Sequence, residues 1–272
     1  MIARPLRRAA LALAAACLAV PAASHEFWID PTVYQVPDGS DLIADIRVGE
    51  AFDGAAYSYI PPNFTRFDLV MGDRAIEVPG RAGDRPALQM EAPGAGLAIV
   101  VHQTKAYNLV YDSYEKFENF VTHKDAAWAL ERFAERGLDP ENVRESYTRY
   151  GKSLIAVGDG AGSDREVGLL TEIVALANPY TDDLSAGLPV RVLYEGTPRA
   201  DAQVELFARA PDGTVSVSLH KTDEAGVATL PVAPGTEYLA DAVVIRELEA
   251  EMMSDPTWES LWASLTYLVP AQ

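Results

Sequence analysis

The stretch 202-AQVELFARAPDGTVSVSLHKTDEAGVATL-230 decides how the chain is read. Three strand patterns, 202–209, 214–220 and 226–230, are separated by Pro211-Asp212-Gly213 and Asp223-Glu224-Ala225-Gly226, both of which have the chemistry of tight turns. Working outward, the same pattern returns at 169–176, 189–194, 238–245 and 263–269. Short strands with a turn about every eight to twelve residues predict an immunoglobulin-like β-sandwich over residues 169–272.

Toward the N-terminus, short strand-like pieces at 41–48, 65–71, 74–78, 86–91 and 96–103 are broken by Gly, Pro and Asp. Met71-Gly72-Asp73-Arg74 reads as a hairpin connection, so residues 25–168 are expected to form an antiparallel β-sandwich. Residues 49–64 have no steady period and read as a long ordered loop. A small helical insertion is expected around 112–150. Trp128, Glu131, Arg132 and Glu135 fall at helical spacing, and Gly137 stops that helix. Asp139-Pro140-Glu141 then opens a second helix running to about Tyr150, with Val143, Tyr147 and Tyr150 on one face. On this reading Lys152 sits at a helix C-terminus, where a cation is favoured, and Gly158–Glu166 is a solvated linker. The domain boundary falls between 160 and 180, and the fold class is mainly β.

The chain has 272 residues, with 22 basic against 40 acidic side chains and a formal net charge of −18. Residues 1–8 are basic, 9–20 are apolar, and Pro21-Ala22-Ala23-Ser24 offers small residues for cleavage before His25, the pattern of an export signal over residues 1–24. Its removal takes Arg4, Arg7 and Arg8 and leaves 19 basic against 40 acidic residues, a net charge of −21. Such a field repels nucleic acid and anionic membranes and attracts cations. No later run is long and apolar enough to span a bilayer, so a periplasmic protein without a membrane span is expected. Cys17, the only cysteine, leaves with the signal, which excludes disulfides, thiolate nucleophiles and thiolate metal sites from the mature chain.

Cleavage after Ser24 makes His25 the first residue, so its free α-amine and ring nitrogen would chelate one metal ion. That donor pair suits copper, nickel, cobalt or zinc. His25, His102 and His123 with Glu26 are the candidate ligand set, and Asp112 and Glu118 are further oxygen donors; no two histidines share a zinc-type spacing. Taken singly, each residue suits a structural or surface role better than that of a ligand. Tyr57, Tyr59 and Phe64 form a candidate ligand groove, while Tyr107, Tyr111, Tyr114, Trp258 and Trp262 suit either a groove or the seam between domains, with Trp258 and Trp262 in a short turn before the last strand. Neither H-E-x-x-H nor G-x-S-x-G occurs, and Gly151-Lys152-Ser153 lacks the P-loop glycine five positions earlier, where Ser146 stands. No enzymatic activity is expected.

His25-Glu26-Phe27-Trp28-Ile29, the run Arg144–Leu154, Glu172–Tyr180, Val192–Pro198 and Thr222–Gly226 together resemble the bacterial periplasmic family of unknown function numbered 4198. The resemblance implies a two-domain β protein in the cell envelope that serves nickel or cobalt uptake beside an ABC transporter or an outer-membrane receptor. It carries over His25, Phe27 and Trp28, then Arg149 and Lys152, then Asn178, Pro179 and Tyr180.

The expected function is that of a periplasmic protein that binds a transition-metal ion or its chelate. Two rivals are an envelope interaction module that holds no metal, and a carbohydrate- or small-molecule-binding protein. A deep groove at Tyr57, Tyr59 and Phe64 without converging histidines would favour the last.

Overall fold

The computed structural model describes residues 25–271 and turns most of the alternating segments into strands close to their expected ends; the signal expected over 1–24 lies outside the described residues. In chain order the strands are β1 (Glu26–Pro31), β2 (Gln35–Val36), β3 (Asp41–Glu50), β4 (Asp53–Tyr57), β5 (Phe64–Met71), β6 (Arg74–Glu77), β7 (Leu88–Glu91), β8 (Gly96–Thr104), β9 (Tyr107–Val110), β10 (Arg144–Val157), β11 (Thr171–Ala175), β12 (Leu188–Tyr194), β13 (Thr197–Pro198), β14 (Gln203–Arg209), β15 (Val215–Lys221), β16 (Val227–Leu230), β17 (Glu237–Glu247) and β18 (Trp258–Leu268). Two helices, α1 (Tyr114–His123) and α2 (Trp128–Glu135), lie between β9 and β10. The protein is mainly β. The expected β5–β6 hairpin forms, with Met71 opposite Arg74 and Gly72 at φ +52°.

Three sheets stack as layers. The first holds β1, β3, β4 and β7; the second is ten-stranded, in the order β15-β14-β17-β18-β10-β8-β5-β6 with β2 and β9 also on β10; the third holds β11, β12, β13 and β16. Side chains of β8 show why the middle sheet is shared. Ala98 and Val100 pack with Phe27, Ile29 and Leu42 of the first sheet, whereas Leu97, Ile99 and Val101 pack with Leu188, Val190 and Val192 of the third. The first sheet over β5, β8 and β10 makes the N-terminal sandwich, and the third sheet over β14, β17 and β18 makes the immunoglobulin-like one. A parallel pairing of β10 with β18, from Glu145 opposite Trp258 to Ser153 opposite Thr266, joins them. The boundary expected at 168/169 falls between β10 and β11, while the ten-stranded sheet runs on through both halves.

The helical insertion is half as expected. Ser113 Oγ caps α1 by accepting from the Lys116 N–H at 3.4 Å, and Gly137, at φ +62°, follows α2 as Leu138 N–H closes back on the Phe133 carbonyl at 3.2 Å. The helix expected from Asp139 to Tyr150 does not form. Asp139–Asn142 make a turn, with Asn142 N–H on the Asp139 carbonyl at 3.1 Å and Glu141 N–H on Asp139 Oδ1 at 2.9 Å, and β10 follows. Lys152 is therefore no helix end. It is buried inside β10, with Nζ 2.8 Å from Asp164 and 2.9 Å from Glu172. The segment expected as a solvated linker is ordered around this pair: Asp164 also accepts from Ala175 N–H at 2.8 Å, and Asn178 Nδ2 donates to the carbonyls of Gly160 and Gly162 at 2.8 and 2.9 Å. The expected loop 49–64 contains β4 and a 3-10 turn at Pro61–Asn63. Trp258 and Trp262 lie on β18 rather than in a turn, where Phe117 and Phe120 of α1 meet them at ring-centroid distances of 5.5 and 5.6 Å.

Candidate functional site

Strand alternation sends Glu145, Tyr147 and Arg149 to the face of β10 that looks toward the helices. Register places Glu145 beside Trp258, Tyr147 beside Ser260 and Arg149 beside Trp262. On its other edge β10 pairs with β9 over Arg144–Tyr147 and with β8 over Leu154–Val157, so the ladder is open between them. In that gap Arg149 N–H finds the Thr104 hydroxyl at 3.0 Å. Two residues on, Gly151 lets β1 cross closely, because a Cβ there would stand 2.6 Å from Phe27 Cε1. The crossing delivers His25 to Arg149, whose Nη2 donates to the His25 carbonyl at 3.4 Å.

These elements enclose a cleft of about 400 Å³ walled by Tyr111, Phe120, Tyr147 and Trp262, with His25, Glu145 and Arg149 as polar groups. A second cleft of about 210 Å³ shares Tyr147 and Arg149 with the first and is lined besides by Tyr57, Phe64, His102 and Tyr107. Burial pulls the Arg149 pKa down, against the opposing pull of Tyr147, Tyr57 and Tyr107, and the guanidinium stands 4.7 Å from the Tyr147 ring centre. Among the described residues no carboxylate forms an ion pair with it. Burial raises Glu145 to about 7, opposed by hydrogen bonds from Ser260 and Tyr111 and by the charge of Arg149. Trp262 Nε1 donates to Ser260 Oγ at 2.8 Å, which extends this network along the floor. An aromatic-walled cleft that has, among the described residues, an arginine free of carboxylate partners and a buried carboxyl is equipped to hold a small molecule by its face and its charge.

A family model described as "Domain of unknown function (DUF4198)" matches residues 22–246. The chain belongs to the DUF4198 family. The matched span includes the β1, β9, α1 and β10 parts of the cleft, and β18 lies beyond it. The D0-D1 domain of Intimin aligns with 89% of this chain and 97% of its own at 13% identity and a TM-score of 0.19. No curated protein matches.

The candidate metal ligands of this DUF4198 protein do not meet at one point. His25 is exposed at the rim of the larger cleft. Glu26 is buried, accepts from Ala51 N–H at 3.3 Å, and is raised to about 8 by burial and then by Asp241. His123 Nε2 lies 3.4 Å from Glu205, which raises its pKa, and Lys124 Nζ sits between Glu205 at 2.9 Å and Asp241 at 3.3 Å. Glu26 and His123 thus border one buried charge cluster whose cation is an ammonium. His102 is elsewhere, packed against Phe27, Phe64 and Phe67 at 5.3, 5.3 and 5.0 Å, and burial lowers its pKa to about 3. Asp112 pairs with Lys116 at 2.5 Å at the cleft edge, and Glu118 is exposed on α1. Among the described residues no group of three or more His, Cys, Asp or Glu is placed to hold a metal ion.

The aromatic groove is partly formed. Tyr57 and Phe64 line the smaller cleft, whereas Tyr59 belongs to the core and donates to the Val78 carbonyl at 3.3 Å. Of the residues carried over from the family resemblance, Arg149 lines both clefts, while Lys152 and Asn178 make the buried clamp described above and Tyr180 donates to the Leu154 carbonyl at 2.5 Å. Glu145 and the pairing of Tyr147 with Arg149 escape a helical reading of this stretch. Their spacing of two, with Arg149 following an aromatic residue on the same strand face, is the signal that would have found them.

Proposed function

We propose that this protein binds a small organic ligand in the aromatic-walled cleft beside Arg149. The supporting observation is the one that separates the rival readings: Tyr111, Phe120, Tyr147 and Trp262 converge on one cleft, and the histidines do not. Volume, apolar walls and a few placed polar groups agree with the usual anatomy of ligand sites. Fragment screening by protein-observed NMR tests this reading. Bound fragments are expected to shift the Trp262 indole and Tyr147 signals together; hits scattered over the surface, or none, would remove it.

A second reading rests on the exposed position of His25 at the mouth of the same cleft. If export removes residues 1–24, the α-amine and imidazole of His25 supply two donors to a copper, nickel, cobalt or zinc ion. A small chelator in the cleft then supplies the rest. The cargo would be a metal chelate, and the protein a periplasmic part of metal uptake that hands it to an ABC transporter or an outer-membrane receptor. Titration calorimetry with each ion alone, on protein whose mature N-terminus is verified by intact mass, tests the donor pair. One equivalent bound at micromolar affinity or better and lost in His25→Ala supports it. Absence of binding leaves the organic-ligand reading to stand without a metal.

A further inference from the structure

We infer that the ligand of this cleft carries a single carboxylate, received by the Arg149 guanidinium. The inference rests on the small-ligand reading and names the chemistry of its ligand. A charged group withdrawn from water is normally paired, because desolvation without compensation is costly. Arg136 follows that rule on Glu247 and Arg209 on Glu237. Arg199 and Arg149 do not, and while Arg199 is turned to the Val243 carbonyl at 3.1 Å, Arg149 is the one that lines the cleft. Its guanidinium carries five N–H donors, yet the acceptor within reach of Nη2 is the His25 carbonyl at 3.4 Å, and Nε is buried without a partner. Tyr57, Tyr107 and Tyr147 stand against it, none of them an anion at neutral pH, and the buried carboxyls Glu145 and Asp241 feel its charge without bonding to it. Glu145, two places further along the same face than Tyr147, is engaged by Ser260 and Tyr111 instead.

The surroundings also select the anion. Among the side chains of the described residues that line the cleft, Arg149 is the one cation left unpaired at neutral pH, since Lys116 at the far rim is paired with Asp112, and this suits a monoanion. A dianionic phosphate would face the Glu145 carboxyl with one compensating charge, on a chain whose net charge is −18. A planar carboxylate matches the fork of an arginine, with two parallel N–H bonds. The rest of the ligand meets the rings of Tyr147, Phe120 and Trp262, the last two stacked at 5.6 Å with an interplanar angle of 15°. A flat apolar body with one carboxylate is the matching shape.

Benzoate, benzamide and phenyl phosphate are suitable probes, titrated by NMR into the mature chain and into Arg149→Gln and Arg149→Lys. Thermal unfolding verifies that each variant is folded. Benzoate is expected to bind about tenfold or more tighter than benzamide, the scale of one charge-assisted contact. Arg149→Gln should abolish that preference, so that acid and amide bind alike, and Arg149→Lys should retain part of it. Equal binding of acid and amide in the wild type, or a preference that survives Arg149→Gln, overturns the carboxylate inference and leaves the cleft a small-molecule site. Tighter binding of phenyl phosphate overturns it in favour of a dianion. Failure of every probe to shift the Trp262 indole at millimolar concentration removes the inference together with the small-ligand reading.

Discussion

Glu26 follows the exposed His25 by one residue and is nevertheless among the more deeply buried carboxyls of the protein. Its charged neighbours are Asp241, Lys124 and Glu205, with His123 at the edge of the group. Burial raises Asp241 to about 6, whereas Glu205, which burial alone would raise, is held below its ordinary value by His123 and Lys124. One ammonium cannot compensate three carboxylates, and Glu26, at about 8 against an ordinary 4.5, is the one that keeps its proton. Between those two values the folded chain holds a proton that the unfolded chain releases, so this group costs stability as pH rises from 4.5 through 8. Glu26→Gln keeps the shape of the protonated acid and removes the titration. Relative to wild type, the variant is expected to gain on the order of 3 kcal/mol between pH 5 and pH 8. Urea unfolding at both pH values measures it, and a difference that does not change with pH would mean that Glu26 is ionised in the folded protein. Asp241 titrates in both chains and cancels in the comparison.

At the scale of elements, β10 is the piece on which the rest depends. Its Gly151 faces the Phe27 ring of β1, and an added Cβ would fall 2.6 Å from Cε1 and 3.1 Å from Cδ1. Phe27 has little room to give, since its other side packs on His102. Gly151→Ala should therefore cost about 1–3 kcal/mol through overpacking. Urea unfolding reads the loss, and an unchanged midpoint would show that β1 can lift without penalty. The same strand marks the limit of what the sequence reveals. Strands with one wetter face, such as β3 and β12, alternate and are legible from residues alone. From Tyr150 onward β10 is buried on both faces and has no alternation to read, while Val143, Tyr147 and Tyr150 happen to fall at helical spacing behind a proline that looks like a helix start. Mistaking this strand for a helix hid the cleft, because Glu145, Tyr147 and Arg149 share a face only in extended chain. His102 shows the complementary limit. Its ring chemistry suits a metal, but three phenylalanines distant in sequence surround it, and sequence spacing carries no trace of that burial.

For the whole molecule, the shared sheet bears on cooperativity. Composition and turn spacing divide the chain into residues 25–168 and 169–272, yet the core beneath the third sheet takes Val70, Leu97, Ile99, Val101, Tyr150 and Leu154 from the first segment. Burying such side chains contributes about 1.5–3 kcal/mol each, so the six together approach the 5–15 kcal/mol that is the whole stability of a typical domain. Cutting at 168/169 would also strip β10 from β18 and leave a long unpaired edge, which invites aggregation. Neither segment alone is expected to give a soluble monomer with native near-UV circular dichroism, and the intact chain is expected to unfold in one calorimetric transition with matching calorimetric and van't Hoff enthalpies. Two resolved transitions, or a folded monomer of 169–272, would show that β10 and β18 only dock two independent units. The outcome also bears on the cleft, because α1 and β10 supply Phe120, Tyr147 and Arg149 while Trp262 comes from β18. A site assembled across the shared sheet exists only when both halves are folded, and a bound carboxylate should then raise the single transition of the whole chain by mass action rather than the stability of either part.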